Sequence, residues 1–327
     1  MLAPETARND IFRRFTPTPL ELDFAIMGRP IRVETNSSSV SAHVQNVTRS
    51  YATTERLHPQ FLWRIVSDAS SGLFPPLSRR IGFSDGSLRF VNLNQRAFLA
   101  IDLDAHEATA FLSPELCEDE MGFYSVVLSD LFDLSSAMLG LTEIMAGLVA
   151  ANGRGLLVFG SPRSGKTTSC YWAGKMGMEL HGDQVTCLEV VSGELRGWGQ
   201  LWPVAFRPET QEFLPEIQRL TRPMRYRDLN LLCLDHRIFL PAEASSVLPV
   251  ACVFLERCAA DVPQLKQIDK EELTALVTRS LPFVENRRFD HQRREVIRHL
   301  AGLPAYHLPY PADPRTAAEL FPSLLAG

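Results

Sequence analysis

Residues 156–168 read LLVFGSPRSGKTT. An apolar run ends in Gly160, four residues follow, and then come Gly165, Lys166 and Thr167. This is the spacing G-x-x-x-x-G-K-[ST], which demands a strand, a tight loop and a helix in that order. Gly155–Phe159 suits a short buried strand. Residues 167–176 (TTSCYWAGKM) suit a helix, with Gly177 placed to stop it. The glycines let successive backbone N–H groups face one concavity, and the positive end of the helix points at the same place. Such a concavity holds phosphate. Gly160, Ser161, Pro162, Arg163, Ser164, Gly165, Lys166, Thr167 and Thr168 are the expected cradle. In it Lys166 reaches the outer phosphates, and the Thr167 hydroxyl is placed for Mg²⁺.

The remainder of the chain sets bounds. Its 327 residues suggest two domains. With 45% hydrophobic and 22% charged residues, it has the composition of a soluble globular protein with ample core material. A net charge of −5 gives no footprint for nucleic acid or an anionic membrane. The six cysteines, at 117, 170, 187, 233, 252 and 258, include no C-x-x-C pair and no zinc spacing. They read as free buried thiols in a reducing compartment. The first residues, MLAPETARNDIFRRF, lack the apolar core of a secretion signal, and no stretch of 18 apolar residues exists. A cytoplasmic protein is the expectation.

Along the chain, alternation at Leu20, Leu22, Phe24 and Ile26 predicts two strands around Gly28-Arg29-Pro30. A helix is expected within 36–56 and strands at 60–66 and 97–103. A turn at Ser84–Ser87 separates strands at 79–83 and 88–92. Asp102, Asp104 and His106 read as a solvated hairpin end. From Tyr124 to Ala151 the spacing of Leu128, Leu131, Leu134, Met138, Leu141, Met145 and Leu148 predicts a helix ended by Asn152-Gly153. A boundary near 122 follows, with a β-rich module over 1–122 and a phosphate-loop domain over 123–327. Beyond the loop, strands are expected at 178–181, 185–191, 194–201 and 247–256. Residues 203–230 look irregular. Helices are expected at 271–280, 292–300 and 313–325. The predicted class is α/β of the α+β type, with a mixed, β-rich sheet around the loop.

The acid that partners the loop's metal usually ends a later strand. Here the candidate is Asp183, 17 positions after Lys166, with room between for one helix and one short strand. It is therefore expected beside the loop on the next strand in sequence. No N-K-x-D guanine-reading motif occurs, which argues against a GTPase.

The segment GRGLLVFGSPRSGKTTSCYWAGKMGMELHGDQVTCLEV resembles the nucleotide-binding core of the HPr kinase/phosphorylase-like family. WPVAFRPETQEFLPEI, PVACVFLER and LPAYHLPYPADPRTAAELF resemble its shorter HPr-kinase-related members, some of which phosphorylate a serine hydroxyl on a precursor peptide. The resemblance covers roughly residues 136–325. It implies the fold shared with phosphoenolpyruvate carboxykinases, with ATP and Mg²⁺ as cofactors and a hydroxyl acceptor on a peptide, a protein or a small molecule. It makes Asp183 the first of an acidic pair, as metal partner or as base for the acceptor hydroxyl. Glu194-Leu195-Arg196-Gly197-Trp198-Gly199 resembles a signature of the full HPr kinases, which makes Glu194 a metal candidate. Arg163 and Arg207 are candidates for phosphate and for charge on the transferred group. The chain departs from the family at Gln184, which replaces the second acid and cannot act as a base. It departs again before the loop, where the family's His is absent and His181 is the nearest substitute.

Two functions follow as expectations. One is an ATP-dependent kinase acting on a hydroxyl. The other, motivated by Gln184 and the missing His, is a nucleotide-binding regulatory module without kinase activity. The N-terminal module is expected to grip the acceptor or to support a homo-oligomer.

Overall fold

A computed structural model describes residues 16–48, 58–68, 81–85, 87–94, 97–200, 203–226, 229–240, 246–258, 262–281, 289–311 and 313–326. The extreme N-terminal stretch, residues 49–56 of the expected helix region, Arg79, Arg80 and Gly86 of the expected turn lie outside them. The chain is an α+β protein that divides into two compact units, Met1–Leu139 and Gly140–Gly327.

The first unit is built on a seven-stranded sheet in the order β1-β2-β3-β7-β6-β5-β4. The strands are β1 (Leu20–Ile26), β2 (Arg29–Thr35), β3 (Phe61–Ser67), β4 (Ile81–Asp85), β5 (Leu88–Asn94), β6 (Ala97–Asp102) and β7 (Glu107–Leu112). The first hairpin turns at Met27 and Gly28, both with positive φ, so Arg29 and Pro30 already belong to β2. Helix α1 (Ser38–Thr48) leads from β2 towards β3, which runs parallel to it. On one face of the sheet Phe24, Ile31, Val33, Trp63 and Ile65 are buried with Val40 and Val44 of α1. On β3, Arg64 bridges Glu34 and Glu107 at 3.0 Å each, so alternation along the strand separates apolar from charged side chains. Asp102 caps its own turn by accepting from the backbone N–H groups of Asp104 and Ala105, as a hairpin end does.

The expected helix over 124–151 is only half helix. Helical turns run from Glu120 to Ser136. The chain then bends at Gly140 (φ +77°) and forms β8 (Thr142–Ile144) and β9 (Gly147–Ala151). Leu141, Met145 and Leu148 fit helical spacing by coincidence, and Met145 is 48% exposed. A short apolar run buried on two faces has no period of its own to distinguish strand from helix. Asn152 and Gly153 both have positive φ and close a two-residue hairpin into β10 (Arg154–Gly160). That is the turn for which Asn-Gly is best suited.

The second unit centres on a six-stranded sheet, β11-β9-β10-β17-β19-β18. Its further strands are β11 (Glu179–Gly182), β17 (Leu248–Arg257), β18 (Lys266–Gln267) and β19 (Ala305–Tyr310). β10, β17 and β19 are parallel neighbours. Leu156 and Val158 pack on one face with helix α2 (Lys166–Lys175) and Ala317, Ala318 and Phe321. Leu157 and Phe159 pack on the other with Leu273 and Val277 of α3 (Lys270–Arg279) and Val296 and Leu300 of α4 (Asp290–Leu300). A strand covered on both sides reads as an unbroken apolar run, which is why LLVF does not alternate. The hairpin of β12 (Thr186–Val191) and β13 (Glu194–Trp198) pairs with β8. The stretch expected to be irregular, 203–230, instead holds β14 (Val204–Phe206), β15 (Thr221–Tyr226) and the start of β16 (Leu229–Leu234) in a three-stranded sheet. Its prolines and arginines sit between and along short strands, which hides the period-2 pattern. The 313–325 helix is two short ones, Pro314–Ala318 and Phe321–Ala326. No helix among the described residues is long and apolar enough to cross a membrane. The six cysteines are free, and all but Cys258 are buried.

The fully buried Trp63 donates from Nε1 to Ser135 Oγ at 3.0 Å and meets Phe24 edge to face. Trp63→Phe removes the hydrogen bond and leaves a void. It is expected to cost about 2 kcal/mol, measured as the shift of the urea unfolding transition.

Candidate functional site

The strand order explains how two segments 17 positions apart in sequence meet. β9 is antiparallel to both β10 and β11 and lies between them. β10 and β11 therefore point the same way, and their C-terminal ends lie at one edge of the sheet. Helix α2 carries the chain from one to the other. Open α/β sheets bind ligands at this edge, outside the carboxyl ends of their strands.

At the end of β10 the loop Ser161–Gly165 turns into α2. Arg163 (φ +69°) and Gly165 (φ +86°) both adopt the left-handed conformation. At Gly165 a Cβ would overlap the Tyr310 hydroxyl. That hydroxyl donates to Ser164 O at 2.5 Å, and Ser169 Oγ donates to Pro314 O at 3.2 Å. The C-terminal strand and the helix after it thus brace the loop from beneath. Lys166 Nζ folds back to donate to Gly160 O at 2.6 Å and to Ser161 O at 3.2 Å. Burial lowers its pKa below the usual lysine value, partly offset by nearby Asp183.

Asp183 follows β11 and is completely buried. Its Oδ2 accepts from Thr167 Oγ1 at 2.5 Å. Its Oδ1 is buried with no hydrogen-bond partner. Burial pushes the Asp183 carboxyl up to about 6, against the pull of Thr167, Gln200 and Lys166. A buried carboxylate oxygen without a donor costs on the order of 1–3 kcal/mol or more, which a cation beside it would offset. Thr167 and Asp183 together fit a hard divalent ion bound through oxygen and shared with phosphate. Among the described residues, no group of three or more His, Cys, Asp or Glu side chains gathers as a metal centre.

The other sequence candidates are placed differently. Glu194 is exposed and pairs with Val191 at the turn of the β12–β13 hairpin. Asp183 precedes the opposite end of that hairpin, where Cys187 faces Trp198. Four residues of strand span about 13 Å, so the structure does not bring Glu194 to Asp183. Arg207 is exposed just after β14. Gln184 is exposed, beside buried Asp183. His181 is buried and bonded through Nε2 to Glu179 at 2.9 Å. Sequence reasoning missed Gln200 and Tyr310. Tyr310 lies within LPAYHLPYPADPRTAAELF and Gln200 directly follows Glu194–Gly199, but the sequence does not say that either side chain turns back to the loop or to Asp183.

No family model matches the chain, and no curated protein matches it. Among solved structures, the Hpr(Ser) kinase/phosphatase from Coxiella burnetii matches with 12% identity over 56% of this chain and 88% of that one. The TM-score is 0.28, too low for that likeness to support fold or function.

The Asp183 carboxyl has a folded-state pKa above its unfolded value of 3.8. The folded state therefore binds the extra proton between about pH 4 and pH 6. The associated stability is present below pH 4, is lost as pH rises to about 6, and stays lost above. Asp183→Asn keeps the acceptor for Thr167 without the charge. It is expected to raise the stability of the ligand-free protein at pH 7.5 by on the order of 1–3 kcal/mol, with the gain vanishing below pH 4. Urea denaturation of both proteins at the two pH values measures it.

Proposed function

We propose that this protein is an ATP-dependent phosphotransferase that passes the γ-phosphoryl group to a hydroxyl, such as serine in a peptide or protein or a small-molecule alcohol. One observation carries the reading: Thr167 and the buried Asp183 are hydrogen-bonded at the mouth of a glycine-bounded loop over which Lys166 folds. Mg²⁺ bound with the nucleotide would neutralise charge on the transferred group. Lys166 would leave the Gly160 and Ser161 carbonyls for the outer phosphates. The loop N–H groups and the α2 N-terminus would hold the rest of the triphosphate. The acceptor hydroxyl would lose its proton to Asp183, its oxygen would form the new bond to phosphorus, and ADP would carry away the bridging oxygen. In this reading Arg163 contributes to phosphate binding, and acceptor binding falls to the first unit.

A second reading, a nucleotide-binding regulatory module, is favoured by one feature. Gln184 stands where a second acid would be, with its side chain neutral and exposed. Calorimetric titration with Mg²⁺-ATP, followed by assay for ADP, separates the two. The phosphotransferase reading expects binding with slow ADP formation, and the module expects binding alone. Lys166→Ala is expected to weaken binding at least tenfold. Asp183→Asn is expected to bind ATP in chelator within a fewfold of wild type and to lose about tenfold or more of the gain due to Mg²⁺, while turnover falls about 10²-fold or more. Near-normal turnover in Asp183→Asn would remove that residue from the chemistry.

A further inference from the structure

We infer that Gln200 is a positioning residue whose buried amide fixes the turn that aims Asp183 at Thr167. The role rests on the phosphotransferase reading, within which Gln200 acts through Asp183 and not on the nucleotide. Gln200 is 3% exposed. Its Oε1 accepts from two successive backbone N–H groups, those of Asp183 and Gln184, at 3.3 Å each. Its Nε2 donates to Pro203 O at 3.4 Å. Its own backbone N–H donates to His181 O at 3.0 Å. The amide is thus anchored on both sides, spans the turn from behind, and lies close enough to the Asp183 carboxyl to hold its pKa down against burial.

Two glycines allow the segments to come this close. A Cβ on Gly182 would come within 3.1 Å of Gln200 Cγ and 3.2 Å of Oε1. A Cβ on Gly199 would overlap the His181 carbonyl oxygen. The segment after β13 therefore lies directly against the end of β11, and the Gln200 side chain enters the gap. β11 ends at Gly182 and cannot hold Asp183 by sheet pairing. Thr167 holds one carboxylate oxygen, but nothing in the ladder fixes the peptide units on either side of Asp183. Gln200 supplies that restraint. Residues that orient a metal-binding side chain typically cost 10- to 100-fold in metal affinity or activity when removed.

The test compares wild type, Gln200→Leu and Gln200→Glu in three measurements. Hydrogen exchange of the peptide containing Asp183 and Gln184 reads the restraint in ligand-free protein. ATP affinity in chelator and in Mg²⁺ reads the gain due to the metal. ADP formation reads turnover. Gln200→Leu is expected to exchange faster at that peptide, to bind ATP in chelator as wild type does, and to lose about tenfold or more of both the Mg²⁺ gain and the turnover. Gln200→Glu keeps an acceptor oxygen at the same reach and, with its buried carboxyl protonated, a donor for Pro203 O, and is expected to restore protection and part of the loss. If Gln200→Leu does not fold, Gln200→Asn, whose amide falls one methylene short, takes its place with the same expected loss. An unchanged Mg²⁺ gain and turnover in the variant overturns the role. So does a loss that tracks thermal stability and ATP binding in chelator alike, since that marks a merely structural side chain. Wild-type protein that binds no nucleotide sinks the phosphotransferase reading, and this role falls with it. Wild type that turns ATP over beside an unaffected variant sinks Gln200 alone.

Discussion

The hydrogen bond from Thr167 to Asp183 joins the start of α2 to the end of β11, and the arrangement of the second unit serves to make it. It exists because β9 separates β10 from β11 and runs against both. Were the strands adjacent and antiparallel, Asp183 would lie at the opposite edge of the sheet from the loop. The inserted strand makes them point the same way, so one helix of ten residues suffices to connect them. The covered faces on both sides of β10 then hold the loop and the acid in one frame.

That frame keeps a carboxylate where water cannot reach it. A buried acid with one unpartnered oxygen is a local cost, and burial raises its pKa accordingly. In a stable fold such a cost is offset elsewhere. Here the offset is visible in contacts around the site rather than in it. Tyr310 and Pro314 hold the loop and α2 from the C-terminal side. Gln200 holds the acid's peptide units from the hairpin side. Long-range hydrogen bonds thus replace the regular ladder exactly where the chain leaves its strands.

The first unit solves a different problem. Its sheet mixes parallel and antiparallel pairs, with one helix supplying the crossover between β2 and β3. Trp63 and Arg64 are neighbours on one strand, yet one is fully buried and the other lies in a charged ladder. The alternation that marks such a strand is also what makes its inner face able to carry a core.

The sequence by itself determined the parts whose cause is local. The G-x-x-x-x-G-K-[ST] spacing pointed to strand, loop and helix at 154–175, and Gly165 stands where the turn into the helix takes a positive φ. Gly177 marked the helix end, and Asp183 the acid beside the loop. Where several residues agree within one element, short-range sterics leave little choice. The sequence misread 142–151 because a strand buried on two faces has no period to betray it, and Asn-Gly serves both a helix end and a hairpin. It named Glu194 because a signature gives residue types but not which end of a hairpin they occupy. Only the tertiary structure decided that Asp183 meets Thr167 across an inserted strand, and that Tyr310 and Gln200 reach the site. Those contacts depend on strand order and on close backbone approach between distant segments, and neither quantity is carried by any one stretch of the chain.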